Sequence, residues 1–145
     1  MKLVIIFEKS RGFGATTGRP RRCGWFDAVV VKYAVRINGM ENMAVTKIDI
    51  LSGVEKLKIC KSYQYQGKTI NEFPNNLEIL KKCILLYEEL EGWKEDISQI
   101  TDHENLIIQL INYVKRIEEV RNTRVATVSV GPKRSQTIIK EKVFK

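Results

Sequence analysis

Two periods run through the apolar positions of this chain, one helical and one extended, and they take turns. From Trp25 to Ile37 the residues Phe26, Val30, Tyr33, Ala34 and Ile37 fall on one helical face with Lys32 and Arg36 opposite, which predicts a helix. Asn38-Gly39 supplies the left-handed exit that commonly ends one. Met43-Ala44-Val45-Thr46 and Ile48-Asp49-Ile50-Leu51 then read as a mostly buried strand closed by Ser52-Gly53. Leu57 to Tyr65 alternates with period two, as a half-buried strand does, and Gln66-Gly67-Lys68 follows as a turn. Pro74-Asn75-Asn76 marks another turn, with a short helix over Leu77–Leu80.

Ile84–Tyr87 predicts a further strand, running into an acidic segment at Glu88, Glu89 and Glu91 that reads as solvated and stops at Gly92-Trp93. Thr101 and Glu104 have capping-box spacing ahead of a second helix, whose buried stripe is Leu106, Ile107, Leu110, Ile111, Val114 and Ile117. Val125 to Val130 is a β-prone run ended by Gly131-Pro132. This alternation of helix and strand predicts an α/β fold class, and there is no internal repeat.

Composition adds bounds more than detail. The 145 residues are 43% hydrophobic and 29% charged, which is ordinary for one folded domain and excludes a disordered chain. The apolar runs Leu3–Phe7 and Ile84–Tyr87 fall far short of the roughly 20 residues that span a bilayer. Met1–Phe7 is followed by Glu8-Lys9-Ser10-Arg11 and not by a small-residue cleavage pattern, so it reads as an irregular start and not a targeting signal. Cys23, Cys60 and Cys83 are odd in number and widely spaced, which predicts reduced structural thiols in a cytoplasmic protein and no metal site, since only His103 accompanies them. The net charge of +8 favours anionic partners without choosing among them. Recognisable RNA-binding motifs and interleaved stacking aromatics are missing, so no specific nucleic-acid partner is expected.

Three segments carry chemistry. Gly12 to Arg22 combines flexible backbone, the hydroxyls of Thr16 and Thr17, and the guanidiniums of Arg19, Arg21 and Arg22, a set suited to holding anions. By composition, a simple basic loop fits these residues about as well as a specific anion pocket. Thr46-Lys47-Ile48-Asp49 stands at the carboxyl end of a predicted strand, where open α/β sheets place ligands. A carboxylate there accepts two hydrogen bonds, matching the N1–H and amino group of guanine, and a lysine stem can lie along the base. Alone, the triplet is a weak signal and more often a surface pair. Ser129-Val130-Gly131-Pro132 could close such a pocket or be an ordinary loop.

Order and wording join these segments. The string Gly14-Ala15-Thr16-Thr17-Gly18-Arg19-Pro20-Arg21-Arg22-Cys23-Gly24-Trp25-Phe26-Asp27 is followed by Thr46-Lys47-Ile48-Asp49-Ile50-Leu51-Ser52-Gly53 and then by Tyr87-Glu88-Glu89-Leu90-Glu91-Gly92-Trp93. With Ser129-Val130-Gly131-Pro132-Lys133-Arg134-Ser135-Gln136-Thr137-Ile138 they closely resemble adenylosuccinate synthetases, from Gly12 to Ile138. The resemblance implies residues 12–145 as a single carboxy-terminal domain, an incomplete piece of that family's large P-loop-like α/β sheet, after an unmatched stretch 1–11. It implies an enzyme that uses GTP to join L-aspartate to IMP, the first committed step from IMP to AMP, with Mg2+ whose ligands lie upstream of anything here. The family works as a homodimer.

Carried across by motif, Ala15, Thr16, Thr17, Gly18, Arg19, Pro20 and Arg21 would hold aspartate, with Arg19 also reaching IMP and Arg21 the GTP. Lys47, Ile48 and Asp49 would read guanine, and Ser129, Val130 and Gly131 would complete the base pocket. The family's phosphate loop and catalytic aspartate and histidine have no counterpart in this sequence, and His103 lies outside every matching motif. Glu91 replaces a family proline at an expected turn. These departures predict a chain inactive alone, either the subunit of a split enzyme with a separately encoded amino-terminal fragment or a non-catalytic guanine-nucleotide-binding remnant.

Overall fold

The computed structural model describes residues 16–19 and 23–140, and there the chain builds two small sheets around one shared helix. Strand β1 (Phe26–Asp27) leads directly into helix α1 (Ala28–Asn38), then β2 (Asn42–Val45), a 3-10 turn Ile48–Leu51, and the long strand β3 (Val54–Tyr65). Strand β4 (Lys68–Ile70), helix α2 (Leu77–Lys82), β5 (Ile84–Trp93), helix α3 (Ile108–Arg121), β6 (Arg124–Ser129) and β7 (Thr137–Ile139) complete it. β3 is the spine of the first sheet. It pairs antiparallel with β5 from Val54↔Trp93 to Gln64↔Ile84, parallel with β1, and antiparallel with β4 through the Gln66-Gly67 turn. Both turn residues take positive φ, the conformation a two-residue hairpin needs. In the second sheet β6 runs parallel to β2 and antiparallel to β7.

The mixed α/β class holds, and period two identified β3 correctly. Its burial alternates over Leu57–Ile59, where Leu57 and Ile59 are completely buried, and the alternation breaks at Cys60 and Ser62–Tyr63, where the pairing register shifts and the other face is covered too. The α3 stripe holds as well. Leu110, Val114 and Ile117 join Val125, Val128, Trp93 and Ile97 in one cluster lying between the sheets. A buried aliphatic side chain contributes about 1.5–3 kcal/mol, so this seam supplies much of the driving force.

Several expectations need correction. Ile48–Leu51 is not strand: Lys47 takes left-handed φ and ψ, which turns the chain out of β2 into a 3-10 turn. The acidic segment belongs to β5, which continues through Glu88, Glu89 and Glu91 to Trp93, so Glu91 is not in a turn; Glu89 and Glu91 are exposed as expected, while Glu88 is half-buried. Two of its acids are paired, Glu88 with Arg116 at 2.8 Å and Glu89 with Lys58 and Lys56 at 2.9 and 3.4 Å. Thr101 and Glu104 form no capping box, since a 3-10 turn over His103–Asn105 precedes α3, whose first flanking residue is Ile107. Phe26 lies in β1 and not in the helix, and the predicted helix face is rotated: Ala28 and Val29 are buried while Val30 and Ile37 are exposed.

What fixes α1 is Asp27. Its Oδ1 accepts from the Val29 and Val30 N–H groups at 2.9 and 3.1 Å, and its Oδ2 accepts from the Tyr63 hydroxyl at 2.6 Å. Burial and this carboxylate together push the Tyr63 phenol well above its ordinary pKa, so it stays a donor. Asp27→Ala removes the cap and orphans a buried hydroxyl, and a loss of about 2–3 kcal/mol is expected in urea unfolding. Tyr63→Phe, which spares the cap, should cost about 1 kcal/mol. Cys23, Cys60 and Cys83 form no disulfide with one another, and burial foremost pushes Cys60 up to about 11, which keeps it protonated. No helix among the described residues is long and apolar enough to cross a membrane.

Candidate functional site

The parallel pairing of β2 with β6 decides where the site lies. Val45 stands beside Val128 in register, so the residues after each strand leave the sheet at the same carboxyl end. Lys47–Asp49 follow β2, while Ser129 ends β6 and Val130 and Gly131 follow it. This is the edge where adjacent parallel strands in an α/β sheet present their loops to a ligand. Two segments far apart in sequence are thus brought together by the fold.

Asp49 is poised for a donor. Its Oδ1 is buried with no hydrogen-bond partner among the described residues, a state that costs about 1–3 kcal/mol. Burial foremost raises its pKa above the ordinary carboxylate value; its own backbone N–H opposes this, the Asp96 charge adds to it, and Lys47 opposes it. Asp49 lines a cavity of about 480 Å³ together with Ile50, Ser52, Gly53, Lys94, Asp96 and Ser98. The turn bearing it is held by Ser52 N–H to the Asp49 carbonyl at 3.0 Å and by Gly53 N–H to the Trp93 carbonyl at 2.9 Å. The Trp93 indole N–H donates to the Ser52 hydroxyl at 3.3 Å, which anchors the turn to the core.

The other expected residues divide. The Ile48 and Val130 side chains are buried in the core, so only their backbones can face a ligand. Ser129 donates its hydroxyl to the Gly131 carbonyl at 2.8 Å, closing the strand end into a compact turn. Thr16, Thr17, Gly18 and Arg19 are exposed and do not line the Asp49 cavity. The Arg19 N–H donates to the Thr17 hydroxyl at 3.4 Å, so the loop is partly self-ordered. Ala15, Pro20 and Arg21 lie outside the described residues. Lys94, Asp96 and Ser98 were missed by sequence reasoning: they belong to an irregular segment after β5 with no motif, and only tertiary approach makes them a wall. Among the described residues there is no group of three or more His, Cys, Asp or Glu side chains that could hold a metal ion.

A family model for adenylosuccinate synthetase matches residues 4–138. The chain belongs to the adenylosuccinate synthetase family. The match begins at Val4, inside the stretch 1–11 set apart above. Over 139 residues the chain is 52% identical to the adenylosuccinate synthetase of Desulforamulus reducens, covering 96% of this chain and 32% of that protein. It is 50% identical to that of Clostridioides difficile, again over 139 residues, with the same two shares. The solved structure of fully ligated adenylosuccinate synthetase from Plasmodium falciparum superposes with a TM-score of 0.91 at 34% identity, covering 96% of this chain and 34% of that one. The chain therefore spans about a third of the length of the synthetases it matches.

Proposed function

We propose that this chain supplies the guanine-recognition and aspartate-binding part of a GTP-dependent ligase that joins L-aspartate to IMP in the cytoplasm. In that reaction GTP phosphorylates the 6-oxygen of IMP, and the amino group of aspartate then displaces phosphate to give adenylosuccinate. The observation that supports it best is the unpartnered Asp49 carboxylate oxygen beside a cavity, at the shared carboxyl end of β2 and β6. Guanine offers that oxygen an N1–H and an amino group; adenine offers no such pair.

Lys47 would lie along the base and the Ser129–Gly131 turn would close over it. Thr16–Arg19, with Ala15, Pro20 and Arg21, would take the aspartate carboxylates, Arg19 and Arg21 also serving IMP and GTP. Phosphoryl transfer needs positioned cationic donors around the phosphate oxygens, and on this reading the chain contributes the base pocket and the aspartate loop, with that cradle left to the rest of the enzyme. These 145 residues by themselves should therefore show no synthetase turnover.

The test is a synthetase assay with IMP, GTP, magnesium and aspartate, on the chain alone and mixed with the amino-terminal two-thirds of the Desulforamulus reducens relative. Turnover only in the mixture identifies half of a split enzyme, for which the homodimer of the whole family is the natural assembly. Turnover by the chain alone overturns the reading. Silence in both, with GDP still bound, identifies a non-catalytic guanine-nucleotide-binding module.

A further inference from the structure

Gln136 joins the turn after β6 to the irregular segment after β5. Its side-chain Nε2 donates to the Ser98 carbonyl at 2.7 Å, while Oε1 accepts from the Lys133 N–H at 2.9 Å. Its backbone carbonyl accepts from the Val130 N–H at 2.9 Å, and its N–H donates to the Lys133 carbonyl at 3.0 Å. The same amide lies against Gly131, where a β-carbon would stand 2.4–2.5 Å from its Cδ, Oε1 and Nε2. One half-buried residue thus holds the turn after β6 at Val130, Gly131 and Lys133, and Ser98 in the wall of the Asp49 cavity.

The far end of this brace is itself ordered. The Ser98 N–H donates to Asp96 Oδ1 at 2.9 Å, so Asp96 and Ser98 move as one turn. The core beneath stands on other residues, including Val128, Val130 and Ile138, so what Gln136 secures is the rim and not the fold. An uncharged amide suits the task. It uses a donor on one segment and an acceptor on the other, without adding a third carboxylate near the Asp49–Asp96 pair.

We propose that Gln136 is a positioning residue for base selection, fixing the spacing between the Ser129–Gly131 turn and the Asp96–Ser98 wall so that a guanine held by Asp49 meets both. This rests on the guanine reading given above. The experiment compares GDP and IDP, which lacks the 2-amino group, by calorimetric titration of the full chain and its Gln136→Met variant. Methionine keeps length and apolar packing over Gly131 but loses both polar contacts. The wild type should prefer GDP, and the variant should lose about tenfold of that preference with an unchanged melting temperature. Amide exchange without nucleotide, at Val130 and over 96–98, should speed up in the variant. Gln136→Ala gives the same readouts should methionine pack badly on Gly131.

A variant that keeps the full GDP preference, from a wild type that shows one, overturns the positioning role alone. A wild type without any preference overturns the guanine reading, and this inference with it.

Discussion

Asp49→Asn should turn preference for guanine into preference for xanthine, with a swing in the GDP-to-XDP affinity ratio on the order of 10⁴. The carboxylate of Asp49 can accept from both the N1–H and the 2-amino group. An amide offers one acceptor and one donor, so the guanine amino group meets an N–H and loses a charge-assisted bond worth about 1.5–3 kcal/mol. Xanthine carries a carbonyl at that position and accepts from the amide instead. Paired titrations with GDP and XDP measure the swing, and an unchanged GDP preference would show that Asp49 does not read the base.

The same substitution has a stability signature of known sign. The folded pKa of Asp49 is raised, so its favourable contribution is full below the unfolded carboxylate pKa of about 3.9 and is lost as pH rises through the folded value. Above that, the ionised group in its half-buried site subtracts from stability, and the amide does not ionise. The variant should therefore unfold at higher urea than the wild type at pH 7. The difference should shrink as pH falls below the folded pKa. A variant less stable at every pH would mean that Asp49 is satisfied within the fold and not held ready for a ligand.

How much of this was legible in the sequence follows from what makes each element. β3 and the α3 stripe were readable because one face of each meets the core and local period records it. The 3-10 turn at Ile48–Leu51 was misread as strand because Ile48, Ile50 and Leu51 are as apolar as a strand, while the decisive fact is the left-handed Lys47. Glu89 and Glu91 are as exposed as their charge implied, but the half-buried pairing of Glu88 was invisible because its partner, Arg116, comes from α3. Lys47–Asp49 and Ser129–Gly131 were visible through family wording, and the β2–β6 register supplies the reason they meet. Nothing local marks Lys94, Asp96, Ser98 or the bridging amide of Gln136, since their part is created only when distant loops approach.

Gly92→Ala should be among the most damaging single changes in the chain, and it should reach the site through the fold. A β-carbon at Gly92 would stand 1.8 Å from the Val54 carbonyl oxygen and 2.9 Å from its carbon, and both are backbone atoms that cannot swing aside. The methyl group fits only if β5 separates from β3 at the end where Val54 pairs with Trp93. Overpacking usually costs about 1–3 kcal/mol, and a clash with backbone belongs at or beyond the top of that range, so a loss of at least about 3 kcal/mol is expected. Trp93 is the next residue, and it holds the Asp49 turn through its carbonyl to Gly53 and its indole to Ser52. Displacing the strand end should therefore loosen the Asp49 cavity before the rest of the core fails. The expected sequence is a lowered urea midpoint with fast amide exchange at Ser52 and Gly53, while the Val125–Ile138 region stays protected. Uniform loss of protection would show that the Trp93 anchor and the second sheet fold as one unit, with the site inseparable from the core; wild-type exchange at Gly53 would show that β3 and β5 can part there without cost.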